Sequence, residues 1–179
     1  MELKITLKEK YHDVYLYLYY YVFKDCDVIT RRISLENKTT SEIKIKKIMS
    51  LQLDFDDSKY LLSTFNGAWA REMNRNDFKL TSGKHVNSSF CGVSSSRSNP
   101  FIMIRREHTS EDCGEAYGFN LIYSGNHYEA FEINSFNKAR LVTGINPDLF
   151  EYILEPNETF NTPEAVMTYS NCGLNGMSY

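Results

Sequence analysis

At 179 residues the chain has room for one domain with a sizeable core, and 42% hydrophobic with 24% charged residues excludes a disordered polymer. A formal net charge of −3 with scattered basic residues gives no electrostatic ground for nucleic-acid binding, and Lys44, Lys46 and Lys47 read as the solvated face of a strand. No apolar run approaches the ~18 residues of a membrane span, and Met1 to Lys10 lacks the apolar stretch of a signal peptide, so no membrane partner and a cytoplasmic location are expected.

In chain order, period-two alternation recurs and helical periodicity is nearly absent. Asp13 to Lys24 sets Val14, Leu16 and Leu18 against Tyr15, Tyr17 and Tyr19, a strand apolar on both sides and expected to be covered on both. Asp25-Cys26-Asp27 reads as a turn, and Val28 to Leu35 as a strand with Arg31 solvated. Glu36 to Thr40 is a polar connection. Ile43 to Phe55 then places Ile43, Ile45, Met49, Leu51, Leu53 and Phe55 on one face, broken only at Lys47, and reads as one long strand.

Tyr60 to Phe65 is a shorter strand running into Asn66-Gly67, a turn signal. Gly83 to Pro100, rich in Ser, Gly and Asn, reads as loop with one short strand. Further strands are expected at Phe101 to Arg105, Ala116 to Tyr123, Tyr128 to Ile133, Arg140 to Thr143, Phe150 to Leu154 and Ala165 to Tyr169. Some ten short strands at this spacing, with 13 Tyr and 11 Phe to favour pleated surfaces, argue for an all-β sandwich. The tail Asn171 to Tyr179 reads as a connector.

Residue chemistry is sparse. Cys26, Cys91, Cys113 and Cys172 show no Cys-x-x-Cys pair and no histidine at ligand spacing. Neither a metal site nor a disulfide framework is expected, and reduced, buried thiols are the better reading. The sequons at Asn37, Asn87 and Asn157 mean little without a secretory route. Gly-x-Ser-x-Gly and phosphate-cradling glycines are absent, so no cofactor is implied. Asp54, Asp56 and Asp57 are too close together on one strand end to straddle a glycosidic bond. His127, with Glu129 and Glu132 near it, is a candidate base, although a lone turn histidine is usually structural.

The one tryptophan, Trp69, sits in Asn66-Gly67-Ala68-Trp69-Ala70-Arg71-Glu72. An indole beside carboxylates and an arginine suits a sugar, whose apolar face stacks on the ring while its hydroxyls need fixed polar partners. The same pattern also fits a core tryptophan packed in a sandwich. The pattern allows Asp57 to be an ordinary turn aspartate. It equally allows Arg71 and Glu72 to pair at the surface.

The block Gly67-Ala68-Trp69-Ala70-Arg71-Glu72 resembles the family 36 α-galactosidases of the glycoside hydrolases. Ser94-Ser95-Ser96-Arg97-Ser98-Asn99-Pro100-Phe101 is similar to their Ser-Ser…Asn-Pro segment, and Tyr117 to His127 (Tyr-Gly-Phe-Asn-Leu-Ile-Tyr-Ser-Gly-Asn-His) is similar to another signature. Gly144-Ile145-Asn146-Pro147, Thr162-Pro163-Glu164 and Gly173-Leu174-Asn175-Gly176-Met177-Ser178 follow in the same order.

This resemblance implies part of an N-terminal antiparallel β-supersandwich, galactose-mutarotase-like, spanning 1–179. Residues 171–179 would lead toward a (β/α)₈ barrel that lies outside the chain with both catalytic aspartates, and further strands would precede Tyr11. It implies hydrolysis of terminal α-galactosyl residues of melibiose and raffinose with retention, by a homo-oligomer, a tetramer in some members. In those, an aspartate and the motif tryptophan reach a neighbour's active site, positions that fall on Asp57 and Trp69. Asp56 and Arg71 are supporting candidates, Asp56 standing where relatives often carry proline. Two other readings are a stand-alone carbohydrate-binding module and a mutarotase-like enzyme using His127.

Overall fold

The computed structural model describes residues 1–177. The strands are β1 (Glu2–Lys8), β2 (Val14–Phe23), β3 (Val28–Asn37), β4 (Ile43–Ile45) and β5 (Met49–Phe55). There follow β6 (Leu61–Ala68), β7 (Arg71–Lys79), β8 (Gly83–Ser88), β9 (Phe101–Arg105) and β10 (Ala116–Ile122). The last are β11 (His127–Ile133), β12 (Ala139–Ile145), β13 (Tyr152–Leu154), β14 (Thr159–Asn161) and β15 (Glu164–Ser170). A single 3₁₀ turn, Asn175–Met177, is the one helical element among the described residues, and no helix among them is long and apolar enough to cross a membrane.

Two unequal sheets make the sandwich. The large one runs β1-β2-β3-β15-β10-β9-β6-β7, with β14 continuing the line of β15 along β3. The small one runs β5-β12-β11-β8, and β4 pairs with β13 apart from both. Their facing sides meet in a core that includes Leu51, Leu62, Ile104, Phe119, Phe131 and Leu141. Alternation explains the selection, because the partners Leu51, Thr143 and Glu129 in register across β5, β12 and β11 all point inward together. A second cluster of Phe65, Met103, Ala116 and Leu174 lies on the outer side of the large sheet. There the segment around Leu174 packs back, with Leu174 N–H donating to the Ser110 carbonyl at 3.1 Å.

Several expectations needed correction. β1 and β7 are edge strands not expected from the sequence, and their residues are all exposed, although β1 alternates Leu3, Ile5 and Leu7 with Lys4, Thr6 and Lys8. Ile43 to Phe55 is two strands, because Lys46 to Ile48 leave the ladder and β4 joins β13 while β5 joins β12. β2 is half-buried rather than covered on both sides. Its tyrosines form a solvent-facing ladder, Lys4 Nζ lying 4.2 Å over the Tyr17 ring and the Arg32 guanidinium 4.0 Å over Tyr19. Its other face belongs to the part of the large sheet that overhangs the small one, where Leu3, Ile5 and Leu7 of the neighbouring strand stay open. All four cysteines are free and exposed rather than buried, since each falls in a turn or loop. Asn37, by contrast, is fully buried, its Nδ2 donating to the Ser41 and Leu154 carbonyls at 2.8 and 3.0 Å.

Candidate functional site

The motif around Trp69 is a hairpin tip, and most of its residues are explained by that geometry. Asn66 and Gly67 remain in β6; the turn lies further on, because Ala68 pairs with Arg71 and leaves Trp69 and Ala70 as a two-residue loop. Ala70 takes φ 60, a left-handed conformation that costs a residue with a Cβ, and its N–H donates to Glu72 Oε1 at 2.9 Å, which offsets the strain. Gly67 sits at a bulge between Asn66 and Ala68, where a Cβ would lie 2.3 Å from the Arg71 carbonyl oxygen, so only glycine fits. Met73 also takes a positive φ of 56, and Asn74 Nδ2 donates to the Arg71 carbonyl at 2.6 Å. The outcome is an indole 94% exposed, which overturns the reading of Trp69 as a core residue. Arg71 beside it is exposed as well.

Asp57 lies at the other end of β6. Its Oδ1 accepts the Lys59 N–H at 2.8 Å and Arg106 Nη1 at 2.7 Å. Arg106 Nε also donates to Glu115 Oε2 at 2.9 Å, and its guanidinium lies 4.0 Å over the Tyr60 ring. The bond from Arg106 holds the Asp57 carboxyl below the usual range against partial burial, and Asp57 with Glu115 holds the guanidinium further toward its charged form. Beside this network a cleft of about 530 Å³ is lined by Lys59, Tyr60, Lys79, Arg106, Glu107 and His108. Asp56 points to solvent, with Lys138 Nζ 3.6 Å from its Oδ1.

The structure therefore does not bring Asp57 and Trp69 together. The eight residues of β6 between them span about 26 Å at a rise of ~3.3 Å per residue, too far for one monosaccharide to touch both. Sequence reasoning missed Arg106 as the side chain that holds Asp57, because it lies 49 positions away and meets Asp57 only in the folded sheet.

His127 is not a turn residue but the first of β11, with no exposure. Its Nδ1 lies 3.5 Å from Ser94 Oγ, and burial pushes the imidazole down to about 4. A base sealed in this way cannot meet a sugar, which removes the structural support for a mutarotase-like role. Glu129 is likewise buried, its carboxyl pushed up to about 8 by burial with the Asn87 hydrogen bond opposing. Among the described residues no group of three or more His, Cys, Asp or Glu side chains is arranged to hold a metal ion.

With this geometry in view, comparison with known proteins is informative. Residues 1–155 match the Glycosyl hydrolase family 36 N-terminal domain. Alpha-galactosidase AgaA of Geobacillus stearothermophilus is 39% identical over 176 residues, which are 98% of this chain and 24% of that protein. Alpha-galactosidase Mel36A of Lactobacillus acidophilus is 39% identical over 174 residues, 97% of this chain and 24% of that protein. The crystal structure of an AgaA variant in complex with raffinose superposes with a TM-score of 0.96 at 38% identity, covering 99% of this chain and 25% of that one. A galactose mutarotase related enzyme from L. acidophilus shares the fold alone, at a TM-score of 0.58 and 7% identity. The chain thus spans about a quarter of the length of the curated relatives it matches. It belongs to the glycosyl hydrolase family 36 N-terminal domain family, an antiparallel β-supersandwich.

Proposed function

We propose that this chain is the non-catalytic N-terminal domain of a retaining α-galactosidase acting on terminal α-galactosyl residues of raffinose- and melibiose-type oligosaccharides. The catalytic aspartates lie on a barrel outside the chain, and the domain contributes Trp69 to a galactoside site across a subunit contact in a homo-oligomer. The single observation that carries this reading is the Trp69 hairpin, whose Gly67 bulge, left-handed Ala70 and Glu72 contact all serve to present one indole at 94% exposure. A protein does not ordinarily leave its lone tryptophan in water without a partner for it. The names of the relatives, α-galactosidases throughout those cited, and the raffinose complex of AgaA supply the substrate class.

Asp57 enters this reading differently from Trp69. Its Oδ1 is committed to Arg106 and Lys59, so Asp57 serves the stability of its own end of the domain, and a sugar contact there would belong to a different subsite. The alternative of a stand-alone carbohydrate-binding module is weakened by the same separation, since stacking ring and acceptor carboxylate are not on one patch.

Two measurements test the proposal. The 179-residue chain alone should release no aglycone from an aryl α-galactoside, and measurable turnover would end it. In the whole protein that carries this domain, Trp69→Ala should raise KM for raffinose about 3- to 10-fold, the worth of one stacking contact, while Trp69→Phe retains most of the affinity. An unchanged KM in Trp69→Ala would remove the assignment.

A further inference from the structure

Beyond Thr64, β6 loses its neighbour on one side. β9 pairs with Leu61 to Thr64 only, and Pro100, just before β9, has no N–H with which to extend the ladder. The loop between β8 and β9 takes over. Asn99 donates its backbone N–H and its Nδ2 to the Phe65 carbonyl at 3.0 and 2.9 Å, and Asn66 Nδ2 donates to the Arg97 carbonyl at 2.9 Å. These bonds grip β6 just ahead of the Gly67 bulge and the Trp69 tip.

The loop is held in turn from inside the sandwich. Asn87 on β8 is buried, and its amide is fully used. Nδ2 donates to the Asn99 carbonyl at 2.8 Å and to Glu129 Oε2 at 2.7 Å, while Oδ1 accepts from Ser98 Oγ at 2.7 Å. That pattern fixes Asn87 as a donor and Glu129 Oε2 as an acceptor. Glu129 faces Asn87 on one side and Thr143 on the other, and Glu129 Oε1, Thr143 Oγ1 and His127 Nε2 have no partner among protein groups. A side chain this costly to bury is kept where it backs Asn87.

We propose that the buried pair Asn87 and Glu129 positions the Trp69 hairpin, acting through Ser98 and Asn99 on Phe65 and Asn66. The network joins the small sheet to the projecting end of β6, which its own sheet leaves unsupported on that side. Near neutral pH Glu129 is largely an uncharged acid and His127 an uncharged imidazole. The other titratable groups in this core are His85, across β8 from Phe131, and the phenols of Tyr60 and Tyr117, both packed on the Phe55 ring. The facing strands β6, β9 and β10 present Leu62, Thr64, Ile102, Phe119 and Leu121, β12 presents Leu141 and Thr143, and β5 presents Leu51 and Leu53. Arg31 of β3 reaches only the edge strand β5, at the Gln52 carbonyl. Ionised Glu129 therefore has no counter-ion, and charging it must admit water and loosen the link. The consequence for sugar rests on Trp69 meeting the substrate; the positioning of the hairpin does not.

Trp69 is the one tryptophan of the chain, so its time-resolved fluorescence anisotropy reads the hairpin without any sugar present. Asn87→Ala and Glu129→Ala should roughly double the amplitude of the fast depolarisation. Glu129→Gln, which keeps an acceptor for Asn87 and puts a donor at the other position, should restore the wild-type decay. Ser98→Ala removes one bond without opening the core and should give a smaller rise, so the link stays testable if a buried variant fails to fold. In the wild type the fast amplitude should grow between about pH 7 and 9, and in Glu129→Gln it should stay flat. An unchanged decay in both Asn87→Ala and Ser98→Ala overturns the proposal, as does a Glu129→Gln decay as loose as that of Glu129→Ala, or a wild-type decay flat with pH. In the whole protein, Asn87→Ala should raise KM for raffinose about 3-fold. If Trp69→Ala leaves KM unchanged, the sugar reading fails while the anisotropy result stands.

Discussion

The two ends of β6 are built on opposite principles. At the Leu61 end, Asp57 is locked by Arg106, Glu115 and Tyr60 into a charged network over a packed floor. At the Ala68 end, the strand outruns its sheet, and a bulge and a two-residue turn hold a bare indole in solvent. Sequence presents Asp57 and Trp69 alike as site candidates; the structure makes one a brace and the other a probe. Residues that look interchangeable as site candidates divide by what their side chains already touch.

Arg106→Ala should break the brace with the largest effect. It leaves Asp57 and Glu115 as unpaired carboxylates around Tyr60, and urea denaturation should show a loss of about 2–4 kcal/mol. Trp69 emission should not shift, because that change is confined to the far end; a red or blue shift would mean the ends are coupled. Gly67→Ala attacks the other end. The methyl group collides with the Arg71 backbone, so about 1–3 kcal/mol should be lost, and Trp69 anisotropy should fall as the tip rearranges.

The ends should also respond to pH with opposite signs. Hydrogen bonds from Arg106 to Asp57 and from Tyr117 to Glu115 hold these carboxyls below their unfolded values, so their stabilisation is full above pH 4.5 and is lost as pH falls through the folded values. Glu129 is raised from 4.5 to about 8, so its contribution is full below pH 4.5 and is lost as pH rises through about 8. His127, lowered from 6.5 to about 4, loses stability as pH falls between those values and offsets Glu129 from 4.5 to 6.5. Stability should thus decline above pH 6.5, and Glu129→Gln should flatten that limb in denaturant titrations across this range. A wild type whose stability is flat from pH 6.5 to 8 would contradict the buried acid. The smallest effect belongs to Trp69→Ala, which should change stability by less than about 0.5 kcal/mol while altering substrate affinity in the whole protein. A larger loss would show that the indole packs on its own domain.

Strands buried on one face were legible before any coordinates. Phe101–Arg105 has the same bounds in both readings, and Ala116–Ile122 and His127–Ile133 differ by one residue, because burial of alternate residues writes a period of two into them. β7, exposed throughout, was not read as a strand because it has no inward face to pattern. β1 was not read as one although Leu3, Ile5 and Leu7 alternate with Lys4, Thr6 and Lys8. The Ile43 to Phe55 run kept its apolar period across a break that only the partner strands reveal. Of the candidate site, Trp69 was identifiable as the lone indole in a glycine-flanked motif, whereas the network of Asn87, Ser98, Asn99 and Glu129 joins residues up to 42 positions apart and has no local signature.

The amino-acid sequence by itself determined the all-strand class, the family through its ordered motifs, and Trp69 as the residue to watch. These follow from short-range pattern, which any chain carries whether folded or not. Tertiary structure alone decided that Asp57 is engaged by Arg106, that His127 and Glu129 are sealed from solvent, and that the indole stands in water. Exposure and partnership are properties of the assembled sheets, set by which strands become neighbours rather than by which residues are adjacent in the chain.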